Sequence, residues 1–377
     1  AATRRRWDVL VIGAGPAGAL AARELARIGH AVLLIDKSAF PRYKVCGGCL
    51  NGRALAALAA SDLGHLVSAQ GGVALRAFRW RTAHQEVDLR MPDGVALSRE
   101  GLDAALVQAA IEAGAAFLPL YHALLGNALP GSRQVVLRRA GVAVPVEGRV
   151  ILMAAGLSAA ASIGGSIAWR RARIGLGAIA ATAPADYRPG TIYMASTTGG
   201  YAGLVRVEAG RLEIAAACDR TVLRGAGGPA QWVAGLLREV AWPVPAGMDR
   251  LVWRGTPPLT QRARRLAGER VFLIGDSAAY VEPFTGEGMG WALASALAVL
   301  PLAARAVGHW EPGLIRAWGR AYRSAIGPQW VCRSVARALR HPLLADACAR
   351  VLKTVPRLAT PLLQRIHAPR PMAPHVL

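Results

Sequence analysis

Short apolar runs and one helical stretch alternate at the start of the chain. Residues 7–12 form a brief apolar run, which predicts a buried parallel strand. Residues 19–28 place their apolar side chains at helical spacing, and Gly29 follows as a stop signal. A second apolar run, residues 31–35, ends at Asp36. This order predicts a strand, a helix and a second strand that lies parallel to the first.

The turn between the first strand and the helix carries Gly13, Gly15 and Gly18 in a G-x-G-x-x-G pattern. Glycines at these places let the backbone approach a pyrophosphate, and the helix that follows directs its free N–H groups at the phosphates. An acidic residue at the end of the second strand, here Asp36, accepts hydrogen bonds from a ribose. The pattern predicts a dinucleotide site without distinguishing NAD from FAD.

Two other patterns follow in the rest of the chain. Short apolar runs separated by glycine turns predict an antiparallel sheet, interrupted by one helix over residues 229–240. The predicted strands of this sheet are 173–180, 191–196, 201–207 and 211–217. Residues 271–274 predict another buried strand, and residues 291–306 a helix. From residue 311 to 366 the pattern is helical and basic.

Composition narrows the class of protein. A hydrophobic fraction of 53% excludes a disordered chain, and five cysteines in 377 residues exclude a disulfide scaffold. The net charge is +22, but only three of the 45 basic residues are lysines, and the arginines are scattered without a basic run of five to eight residues. We therefore expect no nucleic-acid partner. Such a surface should still attract anions, such as an acidic carrier protein or anionic lipid.

No segment predicts a membrane-spanning helix. Residues 150–169 are uncharged, but they contain glycines and serines and open with a strand pattern. Residues 288–304 are also uncharged, but they fall short of the ~20 residues that a span needs. The sequence also gives no signal-peptide pattern. We expect a cytoplasmic protein with reduced thiols, either free in the cytoplasm or peripheral on the inner membrane face.

Three motifs in order identify a family resemblance. They are GAGPAG at 13–18, SREGLD at 98–103 and GDSAAYVEPFTGEGMG at 275–290. Together they resemble the FAD-dependent oxidoreductases of the p-hydroxybenzoate hydroxylase fold, which include aromatic hydroxylases, flavin halogenases and geranylgeranyl reductases. The loop FPRYKVCGG at 40–48 is most similar to the geranylgeranyl reductases. The Trp-x-Trp-x-Ile-Pro motif of the halogenases is not found in the sequence, which disfavours that branch.

The resemblance implies an α/β fold in three parts. A Rossmann-type FAD-binding domain would comprise residues 1–170 together with 255–310. An inserted antiparallel β-sheet layer on the substrate side would comprise residues 171–254. A basic helical C-terminal region would comprise residues 311–377.

The resemblance also implies which residues bind FAD. Gly13, Gly15 and Gly18 match the pyrophosphate turn, and Asp36 matches the ribose acid. Arg42 matches the arginine of the loop that borders FAD, Arg99 the arginine that reaches the diphosphate, and Asp276 the acid at the ribityl chain. The turn against the isoalloxazine ring is matched by Pro283, Gly286, Gly288 and Gly290.

Three departures from the family pattern leave questions open. Ala155-Gly156 stands where related hydroxylases carry Asp-Gly, so NADPH or NADH as the electron donor stays an open expectation. The Tyr-x-Trp-x-Phe-Pro motif of the reductases is reduced to Tyr201 without the Trp and Pro, which weakens the case for a long prenyl substrate. Cys49 turns the loop into a Cys-x-x-Cys pair with Cys46.

The cysteine pair has three interpretations. A zinc half-site would lack its second pair, and the eight histidines show no metal spacing, so we predict no metal. A redox dithiol beside flavin is the second interpretation. We favour the third, in which Cys46 lies near the flavin and Cys49 is incidental. Cys46 and Tyr201 are the candidate catalytic residues, as proton donors.

The resemblance supports two enzyme functions and one that is not enzymatic. The first is an FAD-dependent, geranylgeranyl-reductase-like enzyme that reduces a C=C bond of a lipophilic, isoprenoid-type substrate. The second is an FAD-dependent monooxygenase that hydroxylates an aromatic or polyketide-like substrate. The third is a flavin-carrying electron-transfer or binding protein.

The basic tail has two interpretations as well. It is either a helical layer with a solvated basic face, or an amphipathic surface for an anionic membrane or an acidic carrier protein. We favour the solvated layer. The oligomeric state stays open.

Overall fold

The computed structural model describes residues 5–282, 284 and 286–367, so Pro283 of the predicted site lies outside the described residues. The strands are β1 (Trp7–Ile12), β2 (Val32–Ile35), β3 (Cys49–Asn51), β4 (Val73–Ala74), β5 (Ala77–Arg81), β6 (Glu86–Arg90), β7 (Gly94–Ala96), β8 (Ala116–Leu118), β9 (His122–Leu129), β10 (Ser132–Arg139), β11 (Val142–Met153), β12 (Ser166–Ala168), β13 (Ile174–Ala180), β14 (Thr191–Thr197), β15 (Gly200–Arg206), β16 (Leu212–Cys218), β17 (Arg254–Pro258), β18 (Gln261–Ala263), β19 (Ala267–Gly268), β20 (Val271–Leu273) and β21 (Ala279–Tyr280). The helices are α1 (Pro16–Arg27), α2 (Gly52–Ala59), α3 (Gly64–Ala69), α4 (Arg99–Glu112), α5 (Arg220–Gly225), α6 (Pro229–Glu239), α7 (Gly288–Gly308), α8 (Gly313–Ile326), α9 (Trp330–Ala338), α10 (Pro342–Thr354) and α11 (Thr360–His367).

The first sheet has the strand order β19-β20-β11-β1-β2-β8, with β1 parallel to both β2 and β11. Its central strands are apolar on both faces because helices cover both, as in doubly wound α/β proteins. The predicted β1–α1–β2 unit is present. Strand β11 is long, and its first half pairs with β10 in a hairpin, whereas its second half pairs in parallel with β1.

The second sheet has the order β17-β13-β16-β15-β14-β5-β6. The four strands predicted within 171–254 are β13 to β16, and helix α6 packs on one side of them. The sheet also takes β5 and β6 from the N-terminal part, because β14 pairs in parallel with β5. The Rossmann-type α/β class with an antiparallel layer and a helical C-terminal region is confirmed.

One ionic cluster joins the two sheets. Ser98, at the start of α4, donates its backbone N–H to the Glu208 carboxylate at 2.9 Å and also caps the helix through Gly101. Arg211, at the start of β16, donates to Glu100 at 2.6 Å and also pairs with Glu208. Because these residues come from α4 and from the β15–β16 connection, they fix the second sheet over the first.

Helix α7 runs through the core of the first part and packs against α1, α2 and α8. By length and composition α7 could also cross a membrane, but 72% of its apolar window is buried inside the protein. A core helix passes the same test of length and composition, so this helix is weak evidence for a span.

The C-terminal region is helical, as predicted, and it lies against the second sheet. Helix α10 packs Ala345 and Ala349 beside β6, where Val87 and Leu89 complete the contact. The tail therefore borders one end of the space between the second sheet and the first sheet.

We expect Trp318→Ala to lower the free energy of unfolding by about 3–5 kcal/mol, the usual cost of removing a buried aromatic side chain. Trp318 is 0% exposed, packs near Phe272 and donates its Nε1–H to the Leu273 carbonyl at 3.1 Å. Urea unfolding of both proteins measures the loss. Trp318→Phe, which keeps a ring, should lose less than half as much, and equal losses for the two variants would contradict this packing role.

Candidate functional site

A cavity of about 940 Å³ lies between the two sheets and extends to the tail helices. At one end it is lined by the β1–α1 turn and by charged side chains such as Asp36, Arg42 and Arg99. At the other end it is lined by apolar side chains of the second sheet and of the tail, such as Leu259 and Leu352. The cavity thus has one charged end and one apolar end.

The glycine turn at the charged end has no room for side chains. Gly13 has φ +103°, and a Cβ there would lie 2.4 Å from the Ala154 carbonyl oxygen. A Cβ on Gly18 would lie 1.9 Å from the Gly13 carbonyl oxygen. Since real Cβ atoms are never this close to backbone oxygens, both positions require glycine. The turn is consequently held tightly between β11 and α1.

Gly15 differs from the other two glycines because a Cβ on it would point into the cavity. A Cβ there would approach Arg99 Nη2 at 3.3 Å and Arg42 Nη2 at 3.8 Å. Gly15 is also the N-cap of α1, so the free N–H groups of that helix meet the two guanidinium groups. This cradle of backbone donors and two arginines suits a diphosphate.

One buried carboxylate orients both arginines. Asp103 is 0% exposed and accepts two hydrogen bonds from Arg99, each 2.8 Å long. Its second partner is Arg42, whose Nη1 lies 3.1 Å away. Burial, together with the neighbouring charge of Arg99, lowers the pKa of Arg42. Asp103 belongs to the SREGLD motif, yet the sequence analysis gave it no role.

Asp36 lies where the sequence predicted, at the end of β2 beside the glycine turn. Its carboxylate accepts the Ala14 N–H at 2.8 Å and the Ser38 N–H at 2.9 Å, and Arg42 lies 3.7 Å away. It is buried in the protein and faces the cavity. A ribose hydroxyl at this place would find a fixed carboxylate acceptor.

Asp276 lines the cavity next to a lysine that the sequence analysis did not single out. Burial raises the pKa of Asp276 and lowers the pKa of Lys44, and each charge favours the ionised form of the other. Lys44 Nζ lies 3.0 Å from the place that a Cβ on Gly156 would take. Lys44 is the one lysine of the FPRYKVCGG loop, a signal that could have identified it.

The glycines before α7 also border the cavity. Gly286 has φ +73°, a Cβ on Gly288 would lie 3.2 Å from the Tyr280 ring, and one on Gly290 would lie 2.8 Å from Asn51 Oδ1. Gly286 and Gly288 line the cavity itself, whereas Gly290 serves the packing of α7 on α2. The predicted residues other than Pro283 therefore meet around one space, except that Gly18 and Gly290 pack behind its lining.

These residues fit FAD. The arginine cradle at Gly15 would hold the diphosphate, Asp36 the ribose and Asp276 the ribityl chain, while the open backbone at Gly286 and Gly288 would face the flavin ring. The assignment of each residue to a part of FAD stays a prediction.

Cys46 and Cys49 line the cavity as half-buried thiols, and neither is in a disulfide. Cys49 donates its S–H to the Gly47 carbonyl at 3.1 Å. Burial raises the pKa of both thiols, so both are protonated near neutral pH. No group of three His, Cys, Asp or Glu that could hold a metal occurs among the residues that the structure describes.

Tyr201 lies at the apolar end, in an aromatic cluster that the sequence analysis did not assemble. Its ring lies 5.1 Å from Phe284, which also meets Trp80 at 6.1 Å and Phe78 at 6.3 Å. Burial raises the pKa of Tyr201, and its hydroxyl has no hydrogen-bond partner within the described part of the chain. Cys46 lies on the loop at 40–48, whereas Tyr201 packs in the aromatic cluster with the Arg173 guanidinium 5.7 Å from its ring, so the two candidate catalytic residues stand on different parts of the cavity lining.

Glu213 is a buried acid that the sequence analysis missed. It lies on β16, is 2% exposed and faces the cysteine loop, where its Cγ is 3.6 Å from the place of a Cβ on Gly48. Burial raises the pKa of Glu213 to about 8. The Tyr43 hydroxyl is buried beside Glu213, and the two side chains interact. A single acidic residue within a predicted strand does not reveal from the sequence that its side chain is buried beside the cavity.

Comparison with known proteins agrees with the cofactor. Residues 6–120 match the family described as an FAD binding domain. Menaquinone reductase of Mycobacterium tuberculosis is 29% identical over 340 residues, which is 84% of this chain and 82% of that protein.

Solved structures agree with the fold. A flavin-dependent brominase superposes with a TM-score of 0.81 at 17% identity, covering 96% of this chain and 94% of the other. A flavoprotein/dehydrogenase from Cytophaga hutchinsonii superposes with a TM-score of 0.76 at 18% identity, covering 90% and 87%. At these identities the likeness concerns the fold alone.

We expect Gly15→Val and Asp276→Ala to give folded protein that is poor in FAD. The valine would push its methyl groups toward the two guanidinium groups, and the alanine would remove a polar partner from the cavity. The ratio of flavin absorbance to protein absorbance after purification measures the loss.

Gly235→Val is the control, because Gly235 lies on the exposed face of helix α6 with nothing within 4 Å of an added Cβ. It should keep the FAD content of the unaltered protein. Fully loaded FAD in both site variants would refute the cofactor assignment.

We expect Glu213→Gln to become more stable than the unaltered protein as the pH rises. The folded-state pKa of Glu213 is about 8 and the ordinary value is 4.5, so the folded protein binds the proton more tightly than the unfolded chain. The stability that protonated Glu213 contributes is therefore fully present below pH 4.5 and is lost as the pH rises to about 8.

Urea unfolding at pH 5 and at pH 8.5 measures the difference between the two proteins. It should grow by about 2–4 kcal/mol in favour of the glutamine variant. A difference that is the same at both pH values would mean that Glu213 is ionised in the folded protein.

Proposed function

Since the chain is an FAD-dependent oxidoreductase with the p-hydroxybenzoate hydroxylase fold, we propose that it reduces a C=C bond of a lipophilic, isoprenoid-type substrate. When bound, reduced FAD supplies the hydride for this chemistry. The residues of the chain bind the apolar substrate, exclude water and deliver a proton. NADPH or NADH as the source of electrons belongs to the same proposal.

The observation that carries the proposal is the apolar end of the cavity. Its lining combines the second sheet with the tail, through Leu89, Leu259, Leu339, Leu352 and Leu363. Such a lining recognises a substrate by shape and by the apolar area that it removes from water. A long hydrocarbon chain fits this end better than a small polar metabolite does.

The similarity to menaquinone reductase supports a substrate class. That protein acts, by its name, on menaquinone, a quinone with an isoprenoid side chain. Similarity at 29% identity over most of both chains supports an isoprenoid quinone or a related isoprenoid as the substrate here. The loop at 40–48, which resembles that of the geranylgeranyl reductases, supports the same chemistry.

For the proton we propose Cys46. Its thiol lines the cavity and interacts with Arg99 at the charged end, and burial keeps its pKa raised, so it holds a proton to give. Tyr201 is the second candidate, because its unpartnered hydroxyl is also protonated. A raised pKa in both thiols makes thiolate chemistry of the Cys-x-x-Cys pair a weaker proposal.

One observation favours a second function. The cluster of Phe78, Trp80, Tyr201 and Phe284 offers ring edges and faces that suit a flat aromatic compound. An FAD-dependent monooxygenase for an aromatic substrate is therefore the alternative. A protein that only carries flavin has no specific observation in its favour.

The two enzyme functions differ in the mass of their products. We expect FAD-loaded protein, reduced with dithionite without oxygen and mixed with detergent-dispersed menaquinone, to give a product two hydrogens heavier in the isoprenoid chain. Mass spectrometry with fragmentation locates the change. A product one oxygen heavier, formed only in air from an aromatic substrate, would instead identify the monooxygenase.

Two cysteine variants test the proton donor in the same assay. Cys46→Ala should form product at least about tenfold more slowly, in line with the loss of a general acid, with unchanged FAD content. Cys218→Ala is the control, since Cys218 is buried in the α6 side of the second sheet. Equal rates for Cys46→Ala and the control would remove Cys46 from the proposal.

A further inference from the structure

Helices α10 and α11 and the turn between them expose a set of large apolar side chains. Leu343 is the most exposed of them, with 84% of its surface accessible. The set, named here the tail face, consists of Leu343, Leu344, Val351, Val355, Leu358 and Leu362. Single exposed apolar residues are ordinary on a protein surface, but here six of them occur within residues 343–362.

The tail face is separate from the side that folds the tail onto the protein. Helix α10 uses Ala345, Ala349 and Leu352 for its inner contacts with the second sheet. These residues recur at helical spacing, and the exposed leucines lie away from them. The outer apolar side chains therefore contribute nothing to the core that the inner ones build.

Basic residues surround the tail face. Arg350, Lys353, Arg357 and Arg365 are exposed between its apolar side chains. The sequence after Glu311 contains one acidic residue, Asp346, and its side chain is turned inward with 16% exposed. The patch is consequently both apolar and positive, which complements an anionic lipid surface.

The tail face is continuous with the substrate end of the cavity. Leu358 and Leu362 are exposed to solvent and also line the cavity, and Leu363 lines it from within. The same leucines therefore belong to the protein surface and to the lining of the cavity.

We propose that the tail face docks on an anionic lipid bilayer and that a lipophilic substrate enters the cavity there. The docking rests on the surface itself, whereas the entry of substrate rests on the proposed function. Insertion of the leucines removes apolar area from water, and the basic residues attract anionic headgroups. The substrate would then reach the cavity without crossing bulk water.

Vesicle flotation with FAD-loaded full-length protein tests the docking. Vesicles of phosphatidylcholine alone are compared with vesicles that contain phosphatidylglycerol, at low and at high salt. We expect binding to the anionic vesicles that weakens with salt, and little binding to the neutral ones. Leu343→Ser combined with Leu344→Ser should weaken binding about tenfold, because both side chains lose their apolar insertion.

Matched controls distinguish binding through the tail face from nonspecific binding through other exposed apolar or basic side chains. Val142→Ser with Val252→Ser replaces two apolar side chains that are 63% and 73% exposed outside the tail, and should leave binding unchanged. Arg350→Glu with Lys353→Glu should abolish the preference for anionic vesicles, whereas Arg138→Glu with Arg224→Glu, two exposed arginines elsewhere, should keep most of it.

Three outcomes would overturn the proposal. They are no vesicle binding by the unaltered protein, equal binding by the Leu343/Leu344 variant, and self-association of the tail face that persists without vesicles. In the first of these cases, binding to an acidic carrier protein would identify that protein as the partner.

Activity on detergent-dispersed substrate distinguishes this proposal from the proposed function. The Leu343/Leu344 variant should keep its turnover in detergent and lose it with substrate in vesicles. Normal turnover in detergent without vesicle binding defeats the docking alone. Vesicle binding without turnover of any isoprenoid defeats the proposed function and leaves the docking intact.

Discussion

One buried carboxylate, Asp103, holds the guanidinium groups of Arg99 and Arg42 side by side above Gly15. Two arginines so close together repel each other, and Asp103 with Asp36 offsets part of that repulsion. The remaining positive charge of the two arginines lies beside the start of α1, whose free N–H groups face the same space. A diphosphate bound here would complete this arrangement.

The rest of the site follows from how the second sheet is placed over this end. Glu208 and Arg211 tie the sheet to the start of α4, the helix that carries both Arg99 and Asp103. The cysteine loop faces this sheet, where Gly48 lies against Glu213 and Val207. Charged side chains line one end of the cavity and apolar side chains of the second sheet and the tail line the other, so the proposed cofactor and the proposed substrate would occupy different ends.

Local patterns in the sequence predicted much of this arrangement, and long-range contacts account for what they missed. The β1–α1–β2 unit and its glycines were predictable because one short segment contains both the pattern and its cause. Strands β5 and β6 were not, since their place depends on the pairing of β5 with β14, far along the chain. Asp103 belongs to the SREGLD motif, but an arginine and an acid four residues apart also form common surface ion pairs on helices, so the spacing alone did not assign it a role. Glu213 and Tyr43 meet only in the folded protein.

Titration of the FAD-free protein with FAD and with FMN tests the central claim most directly. FMN has the flavin ring and ribityl chain but lacks the second phosphate and the adenosine that the arginine cradle and Asp36 are expected to hold. Fluorescence quenching should give one FAD per chain, with FMN bound at least about a hundredfold more weakly, as expected for the loss of several charge-assisted hydrogen bonds. Equal affinities for FAD and FMN would contradict the assignment of the charged end to the diphosphate.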